Sequence, residues 1–283
     1  MPAHELVPEL VLAGPDEYER FRPEAADGEV EVWAGNDGFE AYGYTAGGYC
    51  WAHFPGAASF RFLPDHGAVV ALPDTTGSPD SIEDTYLRGV LPLVLQLRGQ
   101  EVLHASAVST PRGLVVLCGV SGTGKSTFAY GLSRRGFPLW ADDAVVLDIA
   151  DGDTGAWQVP FRLRLHADAA TFFGGDAGKQ SRAATTPSRS SFHALLILER
   201  QAESVPPPPV RISRLAPTDA FVGLLPHAYC FRLSDPARKA SMLDRYLRIA
   251  SSVPTFELCY RPGLGDISTV LDEVEAHILG DLS

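Results

Sequence analysis

The chain has 283 residues, 45% of them apolar and 20% charged, enough for one large domain or two modest ones around a real core. A formal charge of -12 argues against a dedicated nucleic-acid binder, whose surface would be basic. The longest apolar runs fall far short of the roughly 18 residues that span a bilayer, so no membrane partner is expected.

The opening "MPAHELVPEL" has neither a cationic stretch nor an apolar core, so a secretory leader is not expected and the cytoplasm is the expected compartment. Residues 1–76 then read as short strands ("ELVPELVLAG", "EVEVWAG", "FEAYGYTAGGYCWAHF", "SFRFLP", "AVVALP"), rich in Val and aromatics and cut by Gly, Pro, Asp and Asn. "GSPDSIEDTYLRGVLPLVLQLRG" follows as a buried helix, with Ser81 as the expected N-cap, a kink at Pro92 and Gly99 as its stop. From there strands and helices alternate. "EVLHASAV" and "GLVVLCG" are strand-like, "KSTFAYGLSRRG" is a helix stopped at Gly136, and "PLWADDAVVLD" is one strand or two joined by a turn. "AWQVPFRLRLH" reads as a strand, "ADAATFFGG" as a short helix, and residues 174–192 as a polar, mobile loop. "FHALLILER" is a strand, "PPPP" a stiff connector, "TDAFVGLLPHAYC" a helix, "DPARKASMLDRYLRIASSV" an amphipathic helix, "PTFELCY" a strand and "GDISTVLDEVEAHIL" a closing helix. This pattern predicts a β-rich lobe with its connecting helix over 1–98 and an α/β domain over 99–283.

The chemistry concentrates in the second part. "GVSGTGKST" satisfies G-x-x-x-x-G-K-[ST], with a strand before it and a helix after it. Gly119, Ser121, Gly122, Thr123, Gly124, Lys125, Ser126 and Thr127 are the expected phosphate cradle, with backbone N–H groups turned inward at a helix N-terminus. Lys125 is one of only three lysines, against twenty arginines, and should reach the β/γ-phosphates; the Ser126 hydroxyl should serve magnesium. Asp142 and Asp143 lie 17 and 18 residues past Lys125. They read either as turn carboxylates or as a working pair, one on the metal and one taking a proton from an incoming hydroxyl. A right-handed βαβ crossover would put their strand beside the loop's strand. His104, on the strand before the loop, is placed to contact Asp142.

Residues Gly119 to Asp143, with His104 upstream, resemble the catalytic domain of HPr kinase/phosphorylase, the bacterial serine protein kinase with a Walker A loop. In that family a histidine precedes the loop lysine and an "ADD" follows it, at the spacings found here. The likeness covers roughly residues 100–150. It implies a P-loop kinase domain of the HPr kinase/phosphoenolpyruvate carboxykinase-like type, with ATP and magnesium as cofactors. It also implies Asp142 as the catalytic base contacted by His104, with Asp143 supporting metal or phosphate. The family's metal-holding glutamate has no counterpart in "VPFRLRLH", where arginines stand instead, and Glu199 or Asp168 are the candidates to replace it. The layout further resembles divergent HPr-kinase-like proteins found beside peptide natural-product pathways. That implies a serine acceptor on a peptide or protein, or a small hydroxyl such as free serine.

Arg162 and Arg164 alternate along the expected strand and so share a face; they could clamp the transferring phosphoryl or an acidic group of the acceptor, or equally face solvent. Lys179, Arg182 and Arg189 sit in the polar loop, either as a solvated segment or as a lid. His193 and His227 read as structural. Cys50, Cys118, Cys230 and Cys259 lie far apart without a CxxC pair and read as free thiols. The competing function is a nucleotide-driven switch or motor ATPase. Asn36 is the single asparagine, which rules out an N-K-x-D base-reading motif, and no L-S-G-G-Q-like segment is present. The oligomeric state is left open.

Overall fold

The computed structural model describes residues 6–14, 22–34, 40–150, 153–174, 188–201, 210–231 and 235–279. The chain divides into two compact units, Met1–Gly99 and Gln100–Ser283, and is a mixed α/β protein.

The first unit holds a six-stranded sheet. Its strands are β1 (Glu9–Leu12), β2 (Glu31–Ala34), β3 (Glu40–Ala46), β4 (Tyr49–Phe54), β5 (Ala58–Phe62) and β6 (Ala68–Pro73), in the order β1-β6-β5-β4-β3-β2. β2 to β6 form an antiparallel meander, and β1 joins β6 in parallel. Gly47 and Gly48 turn β3 into β4 at φ 58° and 81°, a pair of left-handed positions that glycine takes without steric cost. The helix begins at Pro79 with Ser78, not Ser81, as N-cap. Ser81 is the reciprocal partner of a capping box. α1 (Pro79–Thr85) and α2 (Leu91–Leu97) are joined by a π-helical turn at Tyr86–Val90, which absorbs the disturbance of Pro92 without a break.

The second unit is a three-layer α/β/α arrangement on a nine-stranded mixed sheet. Its spine is β9 (Gly113–Cys118), β13 (Arg189–Arg200) and β15 (Thr255–Tyr260), all parallel. The run "GLVVLC" is apolar because β9 is covered on both faces. Leu114, Val116 and Cys118 face one layer, where Ala220, Leu224, Tyr246 and Ile249 come from α5 (Pro217–Leu224) and α6 (Pro236–Ser252). Val115 and Leu117 face the other, with Phe128, Leu132, Val270 and Leu271 from α3 (Lys125–Ser133) and α7 (Ile267–Val274). On α6 the buried positions are Met242, Tyr246, Ile249 and Ala250, a helical stripe, and Asp235 caps its start. Each fully buried Leu or Ile contributes roughly 1.5–3 kcal/mol to this core.

β8 (Ala105–Thr110) lies antiparallel between β9 and β10 (Leu139–Ala141). β7 (Glu101–Leu103), β11 (Val145–Ala150) and β12 (Asp153–Trp157) extend the sheet through the first half of β13. "EVLHASAV" is therefore two strands, broken at His104. β14 (Val210–Arg214) pairs with β15 at the other edge, and α4 (Ala167–Phe172) is short and largely exposed. Residues 158–166 form no strand, contrary to expectation. They run as an extended segment with Phe161 and Leu163 buried. Among the described residues no helix is long and apolar enough to cross a membrane.

Candidate functional site

The glycine loop leaves β9 at Cys118 and enters α3 at Lys125. Gly122 and Gly124 take φ 83° and 91°, so the chain curls where an L side chain would be strained. A Cβ on Gly119 would stand 2.5 Å from the Thr123 hydroxyl, which donates to the Val120 carbonyl at 2.7 Å. The Tyr260 hydroxyl, from the end of β15, donates to the Thr123 carbonyl, and its ring meets Phe128 edge-on at 4.9 Å. The loop is thus held from beneath, while the first turn of α3 leaves N–H groups without intrahelical partners above it.

The double aspartate reaches this loop by a route the sequence did not suggest. β10 does not pair with β9; β8 stands between them. Because β8 is antiparallel to both, β10 still runs parallel to β9 and ends at the same sheet edge. "ADD" is the turn from β10 into β11. Asp143 sits at φ 66°, in the left-handed region that aspartate enters more readily than most residues.

Asp142 is 3% exposed, and its Oδ1 accepts from the hydroxyls of Ser106 and Ser126, both at 2.7 Å. Its Oδ2 accepts from the backbone N–H of Arg164 at 3.3 Å. Lys125 is 6% exposed and donates to the Gly119 carbonyl at 2.9 Å. Burial lowers the pKa of its ammonium, and the nearby Asp142 carboxylate works the other way. His104 does not contact Asp142. Its Nε2 lies 3.0 Å from Lys125 Nζ, and its Nδ1 lies 3.2 Å from the Asp143 carbonyl and 4.0 Å from Asp143 Oδ1. An ammonium only donates, so Nε2 is the acceptor and Nδ1 carries the proton, donated to the Asp143 carbonyl. The Tyr229 hydroxyl reaches the same carbonyl at 3.4 Å.

The structure thus gathers Lys125, Ser126, Asp142, Asp143 and His104, with the partnerships exchanged: Ser126 bonds Asp142, and His104 stands against Asp143. The reason is geometric. Asp142 follows the end of β10 and faces the start of α3, and the left-handed turn at Asp143 brings that residue against His104. Ser126 and Asp142 present two hard oxygens together, the donor type magnesium takes. Among the described residues no group of three or more His, Cys, Asp and Glu forms a cage. An ion held here would draw its remaining ligands from phosphate and water.

Arg162 and Arg164 are not on a strand, and Arg164 meets the site through its backbone. Glu199 is the penultimate residue of β13, beside the loop strand, and is exposed, while Asp168 lies on α4 with His166 at 3.6 Å. The expected lid falls largely outside the described residues, including Lys179 and Arg182. Arg189 belongs to β13, where it pairs with Asp148 and Asp153 at 2.5 and 2.7 Å. His193 bonds the Ile278 carbonyl at 2.9 Å. Sequence reasoning missed Ser106, Tyr229 and Tyr260, which only the register of distant segments brings in. "LLPHAYC" is helical only as far as His227 and then extends along β7, with a bridge between Leu103 and Ala228.

That extension places the His227 carbonyl on the His104 N–H at 2.7 Å. The His227 ring is 6% exposed, and burial, then the Lys125 ammonium, push its pKa from 6.5 down to about 4. A base with a lowered folded pKa is protonated first in the unfolded chain, so it costs stability as pH falls from 6.5 towards 4. By pH 5 the loss is about 1 to 2 kcal/mol, allowing for screening. Urea titrations at pH 7 and pH 5 should show the wild type losing that much more than His227→Gln. Equal losses would mean that the ring titrates as a solvated histidine does.

No protein-family model matches the chain, and none of the curated proteins matches it. Among solved structures it is similar to the Hpr(Ser) kinase/phosphatase from Coxiella burnetii, at 16% identity over 63% of this chain and 90% of that one. The TM-score is 0.33, a level at which the likeness carries no argument, and the site rests on its own geometry.

Proposed function

We propose that the chain is a phosphotransferase that moves the γ-phosphoryl group of ATP, with magnesium, to a hydroxyl on an acceptor. The observation that carries this reading is the meeting of a glycine loop, a buried lysine, a serine–aspartate pair and a histidine-flanked aspartate at one sheet edge. Loop amides from Gly119 to Thr127 bind phosphate oxygens, helped by the N-terminus of α3. Ser126 and Asp142 would hold magnesium, which would supply positive charge against the nucleotide's phosphates. Lys125, exchanging the Gly119 carbonyl for phosphate, balances the charge that develops during transfer. Asp143 takes the acceptor's proton as the new oxygen–phosphorus bond forms and the bond to the bridging oxygen breaks, releasing ADP. His104 positions Asp143 by holding its carbonyl.

This reverses the roles that the resemblance implies for the two aspartates, because it is Asp142 that is hydrogen-bonded to Ser126, the loop residue assigned to magnesium, while His104 stands against Asp143. The acceptor class is a serine hydroxyl on a peptide or protein, with a small hydroxyl such as free serine as the alternative. Incubation with γ-labelled ATP should move label onto serine peptides or serine only when magnesium is present. Label released solely as inorganic phosphate, whatever the acceptor, would replace this reading with a nucleotide-driven switch.

A further inference from the structure

Beside Val120, at the β9 end of the loop, lies a cavity of about 430 Å³, within the second unit. Volumes of roughly 300–1,000 Å³ are typical of ligand sites, and this one exceeds what a single small amino acid fills. It begins at Val120, whose carbonyl is 3.5 Å from Lys125 Nζ, so it adjoins the place where a transferable phosphoryl group would sit. Val120 and Val222 stand at its rim, 61% and 63% exposed. Its polar wall is acidic: Glu199 from β13, Asp219 from α5 and Glu257 from β15, with no lysine or arginine among the described residues that line it.

Glu257 shares the Arg211 guanidinium at 3.3 Å. Among the described residues Glu199 and Asp219 have no basic partner. The second observation is His227, more than nine-tenths buried and lining the same cavity. Among the described residues its ring nitrogens have no hydrogen-bond partner and are not among the atoms wholly withdrawn from solvent, so they are open to a molecule in the cavity. A neutral imidazole offers one donor and one acceptor, which suits the amides of a peptide.

We propose that this cavity receives the acceptor, and that the acceptor is a peptide segment bearing a lysine or arginine next to an aliphatic residue. The proposal rests on the phosphotransferase reading. The carboxylates of Glu199 and Asp219 take the cation, the valine rim takes the aliphatic side chain, and His227 takes a backbone amide. The acceptor hydroxyl is thereby delivered beside Val120, where the Lys125 ammonium reaches the loop.

The test measures two affinities on the full chain. Calorimetry with magnesium and a non-hydrolysable ATP analogue reads the nucleotide site. Fluorescence anisotropy reads a labelled serine peptide flanked by arginine and leucine, and its counterpart with glutamate in place of arginine. The basic peptide should bind at least about 10-fold more tightly. Glu199→Gln and Asp219→Asn should each weaken it by about 2- to 5-fold, the range of an exposed ion pair, with nucleotide affinity unchanged. Equal binding of the two peptides, a charge preference that survives both substitutions, or faster labelling of free serine than of either peptide would overturn the assignment. Nucleotide binding would stand in each of those cases. Loss of analogue binding by the wild type would instead remove the phosphotransferase reading, and the acceptor assignment with it.

Discussion

Lys125→Met should reduce phosphoryl transfer by about 10³-fold or more while the chain stays folded. The substitution keeps an unbranched side chain close to the length of the lysine stem and removes the terminal ammonium. In the free protein that charge is spent on the Gly119 carbonyl and on His104 Nε2, at 2.9 and 3.0 Å. In the proposed transfer it faces the phosphate oxygens, where a preorganised cation in a desolvated site is worth several kcal/mol. Stability should change little. The variant no longer buries an ammonium, but it leaves two acceptors unmet, each worth about 1–3 kcal/mol at most. Labelled-phosphate transfer and thermal unfolding, measured on the same sample, separate the two effects. A folded variant with unchanged transfer would end the phosphotransferase reading.

The parts of this site that were legible are those written in consecutive residues. "GVSGTGKST" needs glycines because the chain curls into positive φ at Gly122 and Gly124, and "ADD" needs a small polar residue because Asp143 turns there. What was not legible depends on strand order. Periodicity shows that "LHASAV" and "GLVVLC" are strands, but it does not show that β8 would stand between β9 and β10. That insertion brings Ser106 onto Asp142 and His104 onto Asp143. The extended segment 158–166 has the sequence pattern of a strand, Phe161 and Leu163 alternating with Arg162 and Arg164, without pairing as one. Its contribution is the Arg164 backbone N–H on Asp142, which no side-chain pattern encodes. Glu199 was visible as the end of an apolar strand. Its place beside the loop follows only from the parallel register of β13 with β9.

Asp142 and Asp143 should respond differently to the same chemical change. Asp143→Asn removes a base and leaves the turn, since His104 and Tyr229 hold the backbone carbonyl of residue 143, which the substitution keeps. It should bind the magnesium nucleotide nearly as the wild type does and transfer phosphate about 10²–10⁴-fold more slowly, the range for general-base help. Asp142→Asn removes charge where Ser126 and the metal meet, and it can present an amide donor to the Arg164 N–H. It should weaken nucleotide binding in the presence of magnesium, slow transfer, and lower stability by about 1–3 kcal/mol through the unmatched donors. Calorimetry in the presence and absence of magnesium reads the first effect, labelled transfer the second, and thermal unfolding the third. If Asp142→Asn keeps magnesium-dependent binding and loses only transfer, while Asp143→Asn loses binding, Asp142 is the base and the hydrogen bonds of the free protein rearrange on loading. If both variants transfer phosphate at the wild-type rate, the pair serves only as the turn between β10 and β11. The loop would then bind nucleotide for some purpose other than transfer to a hydroxyl.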